Sequence, residues 1–336
     1  MWELLTPRLQ LRGVTPDDVD TLVACRSHPD VSVWLGSPPE RAEAVRQFQQ
    51  MAAASGPAPG AWYRASIVHA GTVVGDVGVG IRDGGGIAEI DGVLHPDHRG
   101  HGFAREAAAA LVDDLVEHHT IHRIEANLAP RNIAAMRLLE AIGMTFEVVA
   151  RDARCVDGVW GNELRYAMTS ADRLAWRERP RGEPGEVELV EITADDVGDW
   201  AELATHYSER WFVDPMPITF MDALFPEEFE GVDAVPWMRG VVADGEPVAF
   251  VMTSENHGQQ EGHFLWRMLV DRMHQRRGIG RRALVLMLDH LREQGVGRVF
   301  TSCGEGVGTP QPFYESLGFR PTGRMLDDEV ELVIEL

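Results

Sequence analysis

Two short glycine-containing turns carry the residues of this sequence that could bind a phosphate. The second along the chain, Gln275–Arg281, reads Gln-Arg-Arg-Gly-Ile-Gly-Arg and separates an apolar stretch from an apolar-periodic helix. Gly278 and Gly280 lack a Cβ atom, so the backbone there can lie close to a ligand. The first N–H groups of a helix lack intrahelical partners and carry partial positive charge, which favours an anion. Four arginines add positive charge to this second phosphate turn: Arg276, Arg277, Arg281 and Arg282.

The first phosphate turn, Arg99–Ala104, is of the same kind. It reads Arg-Gly-His-Gly-Phe-Ala and separates an expected strand, Ile87–Leu94, from an expected helix, Arg105–His118. Three landmarks recur in the same order and at nearly the same spacing: Thr15, Gly102 and Gly143 in the first half, and Thr193, Gly278 and Gly318 in the second. The chain is therefore predicted to be one fold written twice.

Length and composition are typical of a soluble protein with two domains. The 336 residues are 44% hydrophobic and 25% charged. No apolar run approaches the roughly 20 residues of a membrane span, and the first residues do not read as a signal peptide. Three widely spaced cysteines, Cys25, Cys155 and Cys303, favour a reducing cytoplasm over a disulfide framework. The net charge of -22 argues against nucleic acid as a partner and is compatible with a cationic amine acceptor.

Gln275-x-x-Gly278-x-Gly280, placed between a strand and a helix, resembles the pyrophosphate-binding motif of the GNAT superfamily (GCN5-related N-acetyltransferases). The alternative is a strand–helix turn with a solvated basic face. The resemblance covers nearly all of the chain. It implies an α/β (α+β) fold class, with two tandem GNAT folds, each a mixed, mostly antiparallel twisted sheet flanked by helices. It also implies acetyl-CoA as the cosubstrate, up to one molecule per domain.

The same resemblance implies which residues contact the coenzyme. In the second half these are the backbone of Met268 and Val270, where the pantetheine arm adds like a strand, and the turn residues Gln275, Arg276, Arg277, Gly278, Ile279, Gly280 and Arg281. In the first half they are Leu94, Arg99, Gly100, His101, Gly102, Phe103, Ala104 and Asn132.

The first half resembles the branch that contains the ribosomal-protein N-terminal acetyltransferases (RimJ/RimL-like). The segments that carry this resemblance include Leu5–Arg12, His95–Ala107 and Arg131–Gly143. Ala135 stands where a serine is usual and Leu139 where other branches have a tyrosine acid, so catalysis by this half is in doubt while coenzyme binding is not. Its candidate general base is Glu89, since partial burial would raise the pKa of a strand carboxylate toward working pH. The alternative is a Glu89 that faces solvent or pairs with an arginine.

In the second half, Phe313–Phe319 resembles the superfamily's Tyr-Glu-x-x-Gly-Phe segment, which implies that the Tyr314 hydroxyl points at the coenzyme sulfur. An amine attacks the thioester, and the departing thiolate is best protonated as it leaves, which a tyrosine can do. The alternative is a tyrosine packed on the core with its hydroxyl in water. No clear base exists in this half: Leu265 falls at the Glu89 position, and Glu261, His263 and Asp271 lie nearby. Cys303 is read as a small buried residue rather than a covalent acetyl carrier.

The chain is expected to form an N-terminal domain over residues 1–175, a linker over 176–186 and a C-terminal domain over 187–336. The linker is charged, rich in proline and glycine and unpatterned. The aromatic segment Tyr207–Pro236 stands where the superfamily shapes its acceptor pocket, although core packing is favoured for most of its rings. Histidines occur in two groups, but His101 is explained by the first phosphate turn and no thiol or carboxylate completes a set, so no metal site is predicted.

The sequence therefore predicts a cytoplasmic, acetyl-CoA-dependent N-acetyltransferase that works by direct attack of an amine on the thioester. The C-terminal domain is favoured as the catalyst because it holds Tyr314, and the N-terminal domain is left as a regulatory copy or one that acetylates through Glu89. The alternatives are a non-catalytic acyl-CoA sensor or scaffold and a transferase for a longer acyl chain. The acceptor, a small-molecule or peptide amine, and the oligomeric state are left open; no nucleic-acid or membrane partner is expected.

Overall fold

The computed structural model describes residues 2–37, 39–52, 54–82, 84–226, 228–229, 232–255 and 262–336. The chain divides into two compact units, Met1–Glu178 and Arg179–Leu336. This division falls inside the segment 176–186 that the sequence predicts as a linker. The first three residues of that segment are helical, and the Trp176 side chain is buried.

The first unit is built on one mixed sheet with helices around it. Its strands are β1 (Glu3–Leu5), β2 (Leu9–Gly13), β3 (Trp62–His69), β4 (Thr72–Ile81), β5 (Ile87–Leu94), β6 (Arg123–Leu128), β7 (Thr145–Val156) and β8 (Val159–Thr169). Its helices are α1 (Val19–Ser27), α2 (Pro29–Leu35), α3 (Arg41–Ala52), α4 (Phe103–His118), α5 (Ile133–Ala141) and α6 (Ser170–Glu178). The sheet order is β1-β2-β3-β4-β5-β6-β8-β7, with β5 and β6 parallel and the other neighbours antiparallel.

The two faces of this sheet differ in chemistry because side chains alternate along each strand. One set of positions is apolar and buried, as with Ile67, Val79 and Ile90. The alternate set faces the other side of the sheet and includes Glu89 on β5. Glu89 aligns with Gly80 of β4, which aligns with Trp62 of β3. The polar face is the one that offers functional side chains.

The second unit repeats this plan. Its strands are β9 (Val187–Val190), β10 (Glu228–Phe229), β11 (Val232–Asp233), β12 (Val235–Ala243), β13 (Glu246–Glu255), β14 (His263–Val270), β15 (Arg298–Gly304), β16 (Arg320–Leu326) and β17 (Glu329–Glu335). Its helices are α7 (Val197–Ala201), α8 (Met216–Leu224), α9 (Ile279–Glu293) and α10 (Gln311–Glu315). The main sheet has the order β16-β17-β15-β14-β13-β12-β9, with β14 and β15 parallel and the other neighbours antiparallel. The predicted fold class, a mixed and mostly antiparallel sheet with helices, occurring twice, is confirmed.

A parallel strand pair that separates is common to both units. In the first, β5 and β6 pair only from Ile87 to Glu89, and in the second, β14 and β15 pair only at His263 and Phe264. Beyond those residues β5 and β14 keep their antiparallel partners, β4 and β13, on the other side. Each unit therefore has a strand whose far half offers an unpaired edge.

The first turn of each unit is capped in the same way. The backbone N–H of Thr15 donates to the Asp18 carboxylate at 2.8 Å, and that of Thr193 donates to Asp196 at 2.6 Å. Such a carboxylate satisfies a donor that a helix start leaves unpaired. The threonine landmarks of the internal repeat are therefore equivalent in structure as well as in spacing.

The core of the second unit lies between its sheet and α9. Ile279, Ala283, Met287 and Leu291 recur about every four residues and are buried, as an amphipathic helix requires. On the other side of the sheet, Trp200 of α7 packs with Phe250 and Met252 of β13 and with Leu269.

We expect Gly240→Ala to destabilise the protein, because a Cβ atom at Gly240 would lie 2.3 Å from the buried Trp200 ring. Overpacking of this kind costs about 1–3 kcal/mol. Gly297→Ala is the matched control, since nothing lies within 4 Å of its Cβ position. Urea unfolding followed by tryptophan fluorescence measures both variants, and equal midpoints would contradict the close packing of Trp200 on β12.

Candidate active sites

The first phosphate turn opens α4 through two glycines in the left-handed region. Gly100 has φ 80°, and Gly102, the residue before the helix, has φ 78° and ψ 6°. Side chains with a Cβ atom are strained there, whereas glycine is not. No side chain caps the start of α4. The first backbone N–H groups of the helix are thus left for a ligand or water.

A residue that sequence reasoning did not single out, Arg8, is fixed beside this turn. Its Nη1 donates to the carbonyl oxygen of His101 at 2.8 Å, and its Nε donates to Glu106 Oε2 at 2.7 Å. Its guanidinium lies 4.9 Å from the centre of the Phe103 ring, and its Nη2 lies 3.4 Å from where a Cβ atom of Gly102 would be. Arg8 therefore brings a guanidinium, paired with the Glu106 carboxylate at 2.6 Å, to the place where a phosphate is expected.

The second phosphate turn has the same backbone. Gly278, which precedes α9, has φ 77° and ψ -2°. Arg276 occupies the place of Gly100 and also has a positive φ, 64°. A side chain other than glycine costs on the order of 1 kcal/mol in this region. Because both turns keep the geometry despite that cost, the backbone path is the common feature of the two sites.

The arginines of the second phosphate turn are largely engaged within the protein. Arg277 is buried and donates from Nε to the Gly182 carbonyl at 2.8 Å. Arg281 donates to the Ser316 hydroxyl at 2.7 Å, and Arg282 donates to the Pro184 carbonyl at 2.6 Å. These three arginines therefore have hydrogen-bond partners within the protein, and Arg276 and Arg281 are the exposed ones of the four.

The edge of β14 that precedes this turn is partly occupied as well. The Gln275 side chain donates to the carbonyl of Val270 at 3.3 Å and to Glu209 Oε2 at 2.9 Å. A Cβ atom at Gly280 would lie 3.5 Å from the Val270 side chain and 3.6 Å from that of Met268. The predicted coenzyme residues of the second half, Met268, Val270, Gln275 and Gly280, are thus brought together.

Glu89 lies at the last hydrogen-bonded pair before β5 and β6 separate, opposite Glu125. It accepts a hydrogen bond from the Asn127 amide at 3.1 Å. Within the described ranges, it forms no ion pair, so the arginine-paired alternative is not what the structure has. A cleft of about 340 Å³ is lined by Gly60, Ala61, Trp62, Gly80, Ile81, Arg82 and Glu89.

This cleft has one carboxylate, that of Glu89, and an aromatic wall. The Trp62 ring lies across Gly80, where a Cβ atom would be 2.7 Å from it. Arg82 is paired with Glu125. Burial raises the pKa of Glu163, and the charge of Glu89 raises it further against the effect of two arginines. Two neighbouring carboxylates beside an aromatic face can accept a cationic amine.

Tyr314 is buried, and the Thr301 side chain beside its hydroxyl lowers its pKa by less than burial raises it. Thr301 in turn donates to the Leu265 carbonyl at 3.1 Å, across the place where β14 and β15 separate. Burial raises the pKa of Tyr314 above its usual range. The ring packs on the core as the alternative reading held, but the hydroxyl is at the strand gap rather than in water.

The remaining candidates of the second half differ in their surroundings. Burial lowers the pKa of His263, its buried Nδ1 has no hydrogen-bond partner among the described residues, and its Nε2 lies 3.5 Å from Glu255. Asp271 accepts backbone N–H groups of two residues and is structural. Glu261 lies outside the described residues. Burial raises the pKa of Cys303, which keeps the thiol protonated and argues against an acetyl-Cys.

One positional expectation was wrong by a residue. A β-bulge between Met252 and Thr253 shifts the pairing of β13 with β14. As a result Phe264, not Leu265, is the last residue of β14 paired with β15, which is the place of Glu89 in the first unit. No carboxylate of β14 therefore stands at the separation point.

Other predicted features have mixed outcomes. Asn132 is the N-cap of α5 and accepts the N–H of Ala135 at 3.2 Å. Phe220 packs edge-on against Phe250 as a core ring, whereas Trp211 and Phe225 are exposed, contrary to the preference for core packing. Among the described residues, no cluster of three or more His, Cys, Asp and Glu side chains could hold a metal ion, and no helix is long and apolar enough to cross a membrane.

Each unit thus combines a mixed sheet, whose parallel pair separates, with a helix that begins at a left-handed glycine. Family models match both units: the acetyltransferase (GNAT) domain over residues 8–145 and the acetyltransferase (GNAT) family over residues 200–319. The chain belongs to the GNAT acetyltransferase family, and the resemblance stated from its sequence is confirmed.

Several relatives are N-acetyltransferases. The uncharacterized N-acetyltransferase p20 of Bacillus licheniformis is 32% identical over 157 residues, which is 45% of this chain and 87% of p20. YjcK of Bacillus subtilis (strain 168) is 37% identical over 79 residues, 24% of this chain and 44% of YjcK. The ribosomal protein uS5-alanine N-acetyltransferase of Escherichia coli (strain K12) is 34% identical over 74 residues, 22% of this chain and 38% of that enzyme. The chain thus spans less than half the length of YjcK and of the uS5 enzyme.

Solved structures with this fold include two that cover about half of the chain. A GNAT-family acetyltransferase from Bacillus anthracis is 22% identical, with a TM-score of 0.46, and the match covers 51% of this chain and 99% of that one. The ribosomal-protein acetyltransferase RimL in complex with coenzyme A is 18% identical, with a TM-score of 0.44, covering 49% of this chain and 96% of that one.

We expect Arg8→Gln to weaken coenzyme A binding at the first phosphate turn about tenfold, because a charge-assisted hydrogen bond contributes roughly 1.5–3 kcal/mol. Arg46→Gln is the control, since Arg46 pairs with Glu43 on the exposed surface of α3. Protection of amides 99–107 from hydrogen exchange, titrated with coenzyme A, reports this site. Unchanged affinity in the Arg8 variant would mean that Arg8 only braces the turn.

Proposed function

We propose that the protein transfers acetyl from acetyl-CoA to an amine by direct attack on the thioester, with residues 187–336 as the catalytic domain and Tyr314 as general acid. The observation that carries this proposal is the Tyr314 side chain, which is buried next to Thr301 beside the strand separation. An acid that protonates a leaving sulfur needs such a sheltered place, next to the strand along which the coenzyme arm lies.

The chemistry assigns a task to each group. The neutral amine attacks the thioester carbonyl, the C–N bond forms, and the C–S bond then breaks to release a thiolate. Tyr314 gives its proton to that sulfur and regains one, through solvent, from the nitrogen that the attack leaves positively charged and that becomes the neutral amide nitrogen. Because the pKa of Tyr314 is raised, the hydroxyl keeps its proton at neutral pH and is always ready as a donor.

Coenzyme binding in this domain would use the backbone of the second phosphate turn. The αL geometry of Gly278 supports it, since the N–H groups that follow begin α9 and lack intrahelical partners. The edge of β14 beyond Phe264 is not paired with β15. An extended pantetheine arm could therefore add there as a strand does, with Met268 and Val270 supplying backbone groups.

The general base of this domain is proposed from fewer candidate residues than the sequence suggests. His263 is favoured because burial lowers its pKa, which keeps the imidazole neutral and able to accept a proton. Within the part of the chain that the structure describes, its buried Nδ1 has no hydrogen-bond partner. A water chain serves the same purpose if the acceptor amine lies further away.

A second candidate function is acetyl transfer by residues 1–175 with Glu89 as base. The cleft beside Glu89 favours it, because that carboxylate lines an open space with an aromatic wall. The uS5-alanine N-acetyltransferase, whose name states that it acts on an alanine of ribosomal protein uS5, matches part of this chain at 34% identity. A peptide amine and a small-molecule amine both remain acceptable to such a cleft.

Release of free thiol from acetyl-CoA in the presence of a panel of amines tests these assignments. We expect Tyr314→Phe to lower the rate about 10–1000-fold, because only the proton donor is removed. Tyr63→Phe is the matched control, since the Tyr63 hydroxyl is also buried but has no hydrogen-bond partner.

The variant Glu89→Gln separates the two domains in the same assay. A loss of thiol release in Glu89→Gln with normal rates in Tyr314→Phe would move the catalysis to the N-terminal domain. If no amine stimulates release in the unaltered protein although acetyl-CoA binds, the protein is a sensor or scaffold rather than an enzyme. Competition between acetyl-CoA and succinyl-CoA tests for a longer acyl preference.

A further inference from the structure

The segment Gly182–Gly185, which precedes β9, lies against the second phosphate turn. Its carbonyl groups accept hydrogen bonds from the arginines of that turn: Gly182 from Arg277 at 2.8 Å, and Pro184 and Gly185 from Arg282 at 2.6 and 3.4 Å. The segment is thus held in place by side chains that would otherwise be free to meet a phosphate.

The side chain carried by this segment is a carboxylate. Glu183 Oε1 lies 3.8 Å from where a Cβ atom of Gly278 would be, and its Cδ and Cγ lie 3.9 Å from that point. Gly278 is the left-handed residue at which α9 begins. Glu183 therefore places a negative charge beside the backbone groups that are expected to bind the coenzyme diphosphate.

The first unit has the opposite charge at the equivalent point. There the group nearest to the Cβ position of Gly102 is the guanidinium of Arg8, at 3.4 Å. Arg8 precedes β2, and Glu183 precedes β9, the corresponding first sheet strand of the repeat. In both units, the segment before the corresponding strand lies against the phosphate turn. This segment carries a cation in the first unit and an anion in the second.

An anion beside Gly278 has opposite effects on the empty and the occupied site. In the empty site it interacts favourably with the positive end of the α9 dipole. When a diphosphate is bound, the same carboxylate is a like charge at short range and disfavours the complex. Among the described residues no ion pair offsets the Glu183 carboxylate, and the buried Arg277 is bonded to the Gly182 carbonyl instead.

We propose that Glu183 is an autoinhibitory anion of the C-terminal domain: it occupies the space beside the second phosphate turn and must move away before a coenzyme diphosphate binds. This rests on the proposed function, in which that turn binds acetyl-CoA. Glu183 is exposed and the residue on its N-terminal side is glycine, so the carboxylate can swing out without disturbing the arginine–carbonyl bonds. Because of this carboxylate, the second phosphate turn binds acetyl-CoA more weakly than its backbone geometry alone would allow.

The test is hydrogen exchange of the full chain titrated with acetyl-CoA. Protection of amides 275–284 reports the second turn, and protection of amides 99–107 in the same samples is an internal reference. We expect Glu183→Gln to tighten binding at 275–284 about tenfold at low salt, with a smaller difference at high salt and no change at 99–107. Glu186→Gln is the matched control, because it removes the same charge from a nearby exposed residue whose recorded contacts are through its backbone.

Each outcome decides a different question. Equal affinity at 275–284 for the unaltered protein, Glu183→Gln and Glu186→Gln would sink the inference and leave Glu183 as a partner of the helix dipole. Equal tightening by both variants would also overturn it, since the effect would then be one of overall charge. Protection that is absent at 275–284 in every protein, at saturating acetyl-CoA, would refute coenzyme binding by the C-terminal domain itself.

Discussion

The hydrogen bonds that are missing between two parallel strands are the constraint on which both units depend. In each unit a strand keeps its antiparallel neighbour but loses its parallel neighbour partway along, after Glu89 in one case and Phe264 in the other. Backbone groups on that edge need partners. The chain then turns through a left-handed glycine into a helix whose first N–H groups lack intrahelical partners. The side chains beside this backbone arrangement differ between the two units.

The two units share a backbone arrangement but carry different side chains at it. The first keeps a carboxylate, Glu89, at the separation point and a cation, Arg8, at the turn. The second keeps a phenol, Tyr314, behind the strand gap and brings a carboxylate, Glu183, to the turn. Since the backbone geometry of the two turns is nearly the same, the difference in charge comes from the segments that precede β2 and β9.

Local features of the site could be predicted from the sequence, and contacts between distant residues could not. Strand Ile87–Leu94 was predicted with its observed bounds, because its residues and the turn that follows are contiguous. The contact of Arg8 with Glu106 joins residues 98 positions apart, and no local pattern reports it. The bulge before Thr253 was equally hidden, because one extra residue in a strand leaves its composition unchanged while it shifts the register. The repeat itself contained a usable signal, because a comparison of the segments before β2 and β9 sets Arg8 against a segment that contains Glu183 and Glu186.

Burial raises the pKa of Tyr314, and a raised pKa affects how readily the phenol gives up its proton. A phenol whose pKa rises above its usual range is a poorer donor to an ordinary thiolate. The thiol of Cys303, close to Tyr314, shows that burial here raises the pKa of sulfur as well. A coenzyme thiolate released in the same surroundings would be more basic for the same reason, so the difference between donor and acceptor is preserved. The low polarity around Tyr314 therefore does not argue against its role, and it keeps the proton on the phenol until the sulfur needs it.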